Sequence, residues 1–298
     1  KNFHKLSIFN QLLNLHMNTQ AQIAQPLPVS RVNYIASSFY ALGMIGIAGQ
    51  QFYYKDFRPV IIPYWPTWLP AQLAFVYIIS LCLIVLSAGI LFRYNARNNA
   101  LILGGLMLIF FLLFHVLSLF FVIRDVLNLG IWTNALKELA LSGGAFIAAG
   151  SIPNQEGSLN GSRTIQGFVS AGRIFFAVML ICFGIDHFLY SQFVATLVPS
   201  WAGLPLFWTY FAGIALIGTG VSIILNIKRR PVCILAGTML FIWFLVLHIP
   251  RAIQYPDLEK GNELTSVFEA LAVSGITFLI GFTDDKRISV SNTSNILH

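Results

Sequence analysis

The chain alternates long apolar runs with short polar connectors. Eight runs of about 20 residues are each long enough to cross a hydrocarbon core of roughly 30 Å as an α-helix, which rises 1.5 Å per residue. Their predicted bounds are 33–51, 70–92, 99–122, 133–150, 169–190, 204–227, 231–250 and 264–282. The pattern predicts an all-α, polytopic membrane protein with eight transmembrane helices.

The polar segments divide the chain into two halves with flanking ends. A linker rich in Ser, Asn and Gly separates two groups of four predicted helices. The predicted parts are a cytoplasmic N-terminal segment 1–32, a first four-helix repeat 33–150, a linker 151–168, a second four-helix repeat 169–282, and a cytoplasmic tail 283–298. The first 16 residues either form an amphipathic segment on the membrane surface, or lie upstream of a natural start at Met17.

Composition supports lipid as the solvent of this chain. Charged residues make up 10% and hydrophobic residues 57%, with a mean hydropathy of +0.75. A soluble domain carries roughly 25% charged residues, because its surface must face water. The net charge of +7 lies mostly in short connectors rather than on one face, so it does not predict nucleic-acid binding.

The distribution of Lys and Arg predicts the orientation of the chain. With the N-terminus inside, eleven of these residues fall in cytoplasmic segments and five in outer connectors. Because cytoplasmic loops are enriched in cations, both termini are expected in the cytoplasm of a cell with an inner membrane. Aromatic residues gather at the proposed outer interface, namely Tyr64, Trp65, Trp68, Trp132 and Trp201.

The two halves resemble each other in sequence. The pairs that match at a nearly constant offset are Pro63 and Pro199, Trp65 and Trp201, His115 and His248, and Glu138 and Glu269. Polar residues and Pro seldom match by chance in apolar sequences. Four crossings per copy is an even number, so both copies would enter the membrane in the same direction, as a parallel repeat.

Ionisable residues inside the predicted spans are the candidate functional residues. A charge at the centre of a membrane helix costs about 2.5–3.5 kcal/mol on insertion scales, so its presence needs a reason. In the second half the candidates near the outer boundary are Asp186, His187, His248, Arg251 and Glu269. In the first half they are His115 and Glu138, at the same depth as Lys137 and Arg124, while Gln51 stands where the second half has His187.

Several interpretations of these residues remain open. They could form a hydrogen-bonded cluster that only fixes the helix register. They could bind a quinone head group through His187 or His248, with Glu269 or Asp186 accepting protons. Two His and a carboxylate could hold a metal, or opposed His could ligate haem, although neither residue set has a ligand motif.

The second half resembles the DoxX/DoxD-like family of four-helix membrane proteins. The resemblance rests on a His-Phe dipeptide at 187–188, a long Pro-Trp connector, the HIPR segment at 248–251 and the FEALAVSG helix at 267–274. It covers most of 169–282 and more faintly 33–150, where Gln51 departs from the pattern. The resemblance implies a four-helix bundle per unit and, for some members, quinone-linked oxidation of sulfur compounds as a subunit of thiosulfate:quinone oxidoreductase.

Three functions follow as hypotheses. The first is an accessory or quinone-interacting subunit of a membrane redox complex; the second is a small-molecule carrier, since carriers often contain internal repeats. The third is a scaffold without its own activity. The expected partners are the bilayer and other membrane subunits or further copies of the chain. Whether the protein is an enzyme stays undecided, because no nucleophile, phosphate-loop or Cys-pair motif occurs in the sequence.

Overall fold

The computed structural model describes residues 31–123, 126–152 and 162–283, and all regular structure in these ranges is helical. Most of the predicted N-terminal segment, linker and cytoplasmic tail lies outside the described residues, as does Arg124.

Eight long helices succeed one another along the chain. They are α1 (Arg31–Tyr54), α2 (Gln72–Leu91), α3 (Ala96–Phe110), α4 (Thr133–Ser151), α5 (Ser162–Leu189), α6 (Pro205–Leu225), α7 (Arg229–Trp243) and α8 (Asn262–Phe282). Helix α3 continues through two π-helical segments, Phe111–Val116 and Leu119–Ile123. Helix α7 continues through a π-helical segment, Phe244–His248, and a last α-helical stretch, Ile249–Gln254. The predicted bounds agree except at α5, which begins at Ser162 rather than at 169.

Seven of these helices, all but α4, are long and apolar enough to cross a membrane. The chain therefore has the composition of a multi-pass membrane protein. The fourth predicted span, 133–150, is a helix of 19 residues, and 13 of them are buried against other helices. Since α4 is surrounded largely by protein, it tolerates Lys137 and Glu138, which lower its hydropathy.

The helices form a closed ring in chain order. Each packs against the next, α8 packs against α1, and α4 and α8 also touch each other across the ring. Two junctions depend on small residues. A Cβ on Gly143 would lie 2.5 Å from the carbonyl oxygen of Gly172, and one on Gly275 would lie 2.5 Å from that of Ala36. These backbone approaches join α4 to α5 and α8 to α1, as small residues do between membrane helices.

The two ends of the ring differ in their connectors. Residues 55–71, 126–132, 190–204 and 255–261 lie at one end, which we name the long-connector end; the short turns 92–95 and 226–228 lie at the other. The connector 55–71 is folded into the protein, because Val60, Ile61 and Ile62 are each at most 2% exposed. All seven candidate site residues lie near this end.

Candidate functional site

His115 and Glu138 form a closed pair between α3 and α4. Nε2 of His115 lies 2.7 Å from Oε2 of Glu138, and the side chains are 3% and 0% exposed. The same Nε2 lies 3.3 Å from the carbonyl oxygen of Val60, so the folded connector covers the imidazole. The sequence placed both residues at one depth, and the structure brings them into contact.

Each candidate His on α3 and α7 lies in a π-helical segment. His115 belongs to Phe111–Val116, and His248 ends Phe244–His248. Such segments are rare and occur frequently at functional sites. Sequence analysis missed them, because a π-helical turn has no residue signature of its own.

Glu269 pairs with Lys137. The Lys137 ammonium lies 2.6 Å from Oε2 of Glu269, with side chains 22% and 9% exposed. The pair joins α4 to α8, and therefore the first half of the chain to the second. The sequence had grouped Glu269 with His187 and His248 of its own half; its ion-pair partner is instead in the other half.

Arg251 is held by Glu263, which sequence analysis did not single out. Nε of Arg251 lies 3.1 Å from Oε2 of Glu263, and Nη2 lies 2.6 Å from Oε1. This is the bidentate geometry that a guanidinium and a carboxylate favour. Glu263 lies in the first turn of α8, where a carboxylate also stabilises the helix N-terminus.

Asp186, His187 and His248 do not join a common hydrogen-bond network. Nδ1 of His187 lies 2.7 Å from the carbonyl oxygen of Phe183 on its own helix. Oδ1 of Asp186 and Nδ1 of His248 are buried and have no hydrogen-bond partner among the described residues. The charged groups that act on His248 are Lys137, Glu263 and Arg251. The predicted five-residue cluster is thus divided into an Arg251 pair, a Glu269 pair and three side chains without a shared partner.

Arg58 is a further buried cation, and it lies in the connector 55–71. It is 2% exposed, its Nη1 donates to the carbonyl oxygen of Lys260 at 2.5 Å, and its guanidinium lies 5.0 Å from the centre of the Tyr54 ring. Its backbone N–H donates to Oε1 of Gln51, whose amide donates to Ser80. Gln51 therefore positions this connector, a role that its departure from the family pattern did not suggest.

A cavity of about 330 Å³ lies beside Arg58 at the long-connector end. It is formed between the connector 55–71 and the residues that precede α8. Its walls include Asp56, Phe57, Arg58, Trp65, Gln72 and Lys260. Burial lowers the pKa of Arg58 from its ordinary value, while Tyr54, Asp56 and Glu269 act in the opposite direction. The site thus combines a desolvated cation with aromatic walls.

Within the described ranges, no group of three or more His, Cys, Asp and Glu side chains is arranged to hold a metal ion.

Comparison with known proteins gives one family match. The model of a domain of unknown function, DUF8561, matches residues 176–273, which run from α5 to α8. No curated protein and no solved structure matches the chain. The match covers the greater part of the second half alone.

Proposed function

We propose that this chain is an eight-span membrane protein built from two parallel four-helix repeats, and that it serves as a quinone-interacting component of a membrane redox complex. Both termini lie in the cytoplasm, and the long-connector end faces away from it, at the inner membrane. Exposed aromatic side chains at that end support this orientation: Trp68 is 80% and Trp201 is 74% exposed. Such rings settle at membrane interfaces.

Equivalent contacts in the two halves support the duplication. Tyr54 packs with its hydroxyl against Gly261, and Tyr190 packs with its hydroxyl against Gly130. The tyrosines are 136 residues apart and the glycines 131. Each tyrosine reaches from its own half into the other, as a two-fold axis along the membrane normal would require.

Contacts between α4 and α8 support a parallel arrangement about this axis. Lys137 meets Glu269, and Gly144 meets Ile276 seven residues further along each helix. Both pairs are 132 residues apart, as are Gly143 and Gly275. Residues on a two-fold axis meet their own equivalents. This offset pairs Glu269 with Lys137, rather than with the Glu138 that the sequence comparison favoured.

A difference between two equivalent histidines is the observation that carries the quinone proposal. Nε2 of His115 is engaged by Glu138 and by the Val60 carbonyl, and this pair is sealed from solvent. Nδ1 of His248, in the matching π-helical segment, is buried without a hydrogen-bond partner among the described residues. A buried polar atom normally has a partner, so an open one fits a ligand.

The residues present fit a quinone head group. An imidazole N–H of His248 can donate to a carbonyl oxygen of the ring, and a neutral imidazole can also take up a proton. Behind it, Lys137 holds the carboxylate of Glu269, a second proton acceptor at the same end of the ring. A quinone supplies two-electron redox chemistry when bound; His248 would orient it. The resemblance to the DoxX/DoxD-like family agrees with this assignment.

The test measures binding of a short-chain ubiquinone to the full chain, purified in mild detergent, by titration calorimetry. His248→Ala is expected to weaken binding by about tenfold, the value of one hydrogen bond of roughly 1.4 kcal/mol. His187→Ala is the matched control, because this imidazole is satisfied by its own helix. Equal affinities for the wild type and His248→Ala would refute the assignment.

Membership in a redox complex is tested by co-purification. The tagged protein, extracted in the same detergent, is expected to retain a subunit that carries flavin, haem or an iron–sulfur cluster, which visible absorption detects. A preparation that contains only this chain would contradict the complex, but not the quinone site.

A further inference from the structure

We propose that the cavity beside Arg58 is a binding site for a small monoanionic carboxylate with a flat apolar body, and that Arg58 is its anchor. This site is separate from the quinone site proposed at His248, and its argument does not depend on that proposal.

The first reason is an unpartnered cation. Nε of Arg58 is buried and has no hydrogen-bond partner in the described part of the chain, although the residue is 2% exposed. None of the described carboxylates forms a salt bridge with Arg58, while Asp56 beside it is paired with Lys260 at 2.9 Å. Glu269 acts on Arg58 only at longer range and is paired with Lys137. A buried charge without a close counter-ion is costly, and a bound anion would remove that cost.

The second reason is that Arg58 is held in place. Nη1 is fixed on the Lys260 carbonyl, the guanidinium lies against the Tyr54 ring, and the backbone is tied to Gln51. These contacts leave the edge that carries Nε for a ligand. An arginine with its orientation fixed in advance presents a planar donor edge that matches a carboxylate.

The walls determine the class of anion. Phe57 and Trp65 stack with their ring centres 5.3 Å apart, so the apolar wall is aromatic. Two cations, Arg58 and Lys260, and two carboxylates, Asp56 and Glu259, line the cavity, so its formal charges cancel. A multiply charged phosphate would meet this neutral lining unfavourably, whereas one negative charge on an aromatic body suits it. A cavity of about 330 Å³ has room for a small aromatic carboxylate.

The probe is benzoate, titrated into the full chain in mild detergent and followed by calorimetry. Benzyl alcohol, with the same ring and no charge, and inorganic phosphate are the comparison ligands. Benzoate is expected to bind at least about tenfold more tightly than either, because only it uses both the guanidinium and the aromatic wall. Equal binding of benzoate and benzyl alcohol would overturn the proposal, as would tighter binding of phosphate.

Two variants and one control locate the site. Arg58→Gln is expected to abolish benzoate binding, whereas Arg93→Gln keeps it. Arg93 is the matched control, since it lies over the Tyr34 ring at 4.6 Å in a connector at the opposite end. Should Arg58→Gln fail to fold, Gln72→Trp decides, because this exposed residue lines the cavity and a larger side chain would fill it. Benzoate binding that survives Gln72→Trp, or that is lost equally in Arg93→Gln, contradicts the site. His248→Ala is expected to leave benzoate affinity unchanged, which separates this test from that of the quinone site.

Discussion

Lys137 and Glu269 meet at the centre of the helix ring, with Nζ 2.6 Å from Oε2, and join the two helices that touch across it. Neither helix is adjacent to the other in the chain. The pair therefore ties the first half to the second at the long-connector end, where His115 and Glu138 form a separate pair between α3 and α4.

Removing one partner of this central pair is expected to destabilise the protein more than removing both. Glu269→Gln or Lys137→Met leaves a largely buried group unpaired, at a cost of about 1–3 kcal/mol. The double variant replaces the pair with neutral groups and should recover part of that loss. Thermal unfolding in detergent measures all three variants. Strictly additive losses in the double variant would show that the two side chains do not interact.

The Asp56–Lys260 pair is expected to contribute little to stability. Its side chains are 33% and 68% exposed, and an exposed ion pair contributes about 0–1 kcal/mol. Lys260→Met should therefore leave the unfolding temperature nearly unchanged in the same assay. The Lys260 backbone carbonyl that receives Arg58 remains in this variant, so a large loss of stability would assign the side chain a role that its exposure does not explain.

Close backbone contact between α4 and α5 makes Gly143 intolerant of a side chain. In Gly143→Ala the new Cβ would lie 2.5 Å from a backbone oxygen that cannot rotate away, which forces the helices apart at a cost of about 1–3 kcal/mol. Gly105→Ala is the control, because nothing lies within 4 Å of its Cβ position. Alanine is favoured over glycine in a helix by about 1 kcal/mol, so the control should be neutral or stabilising. Equal unfolding temperatures for the two variants would disprove the close packing.

The apolar runs were sufficient to predict the helices, because length and hydropathy are local properties of the chain. The N-terminus of α5 was placed too late, since polar Ser162 and Thr164 precede its apolar part. The partners of the ionisable residues could not be predicted in the same way. Glu269 meets Lys137 only because α4 and α8 touch across the ring, and no periodicity within either helix indicates that contact.

The candidate site was predicted where pairing follows from depth alone. His115 and Glu138 lie at the same level on neighbouring helices, and they meet. Arg58 was not singled out, because a cation in a connector is usually solvated. Its burial results from the way in which the connector 55–71 folds back over the helix ends, which the Pro-rich sequence does not specify.

Orientation in the membrane is the last prediction, and cysteine labelling tests it. In a variant without native Cys, Leu127→Cys and Tyr94→Cys place thiols at positions that are 94% and 80% exposed, at opposite ends of the ring. A maleimide that cannot cross membranes should label Leu127→Cys from the outside of spheroplasts, and should reach Tyr94→Cys only after lysis. This follows from the excess of Lys and Arg at the end that carries Tyr94, since cytoplasmic loops retain cations. The reverse labelling pattern would invert the topology. It would also move Arg58 and His248 to the cytoplasmic side, where the proposed anion would have to come from the cell interior.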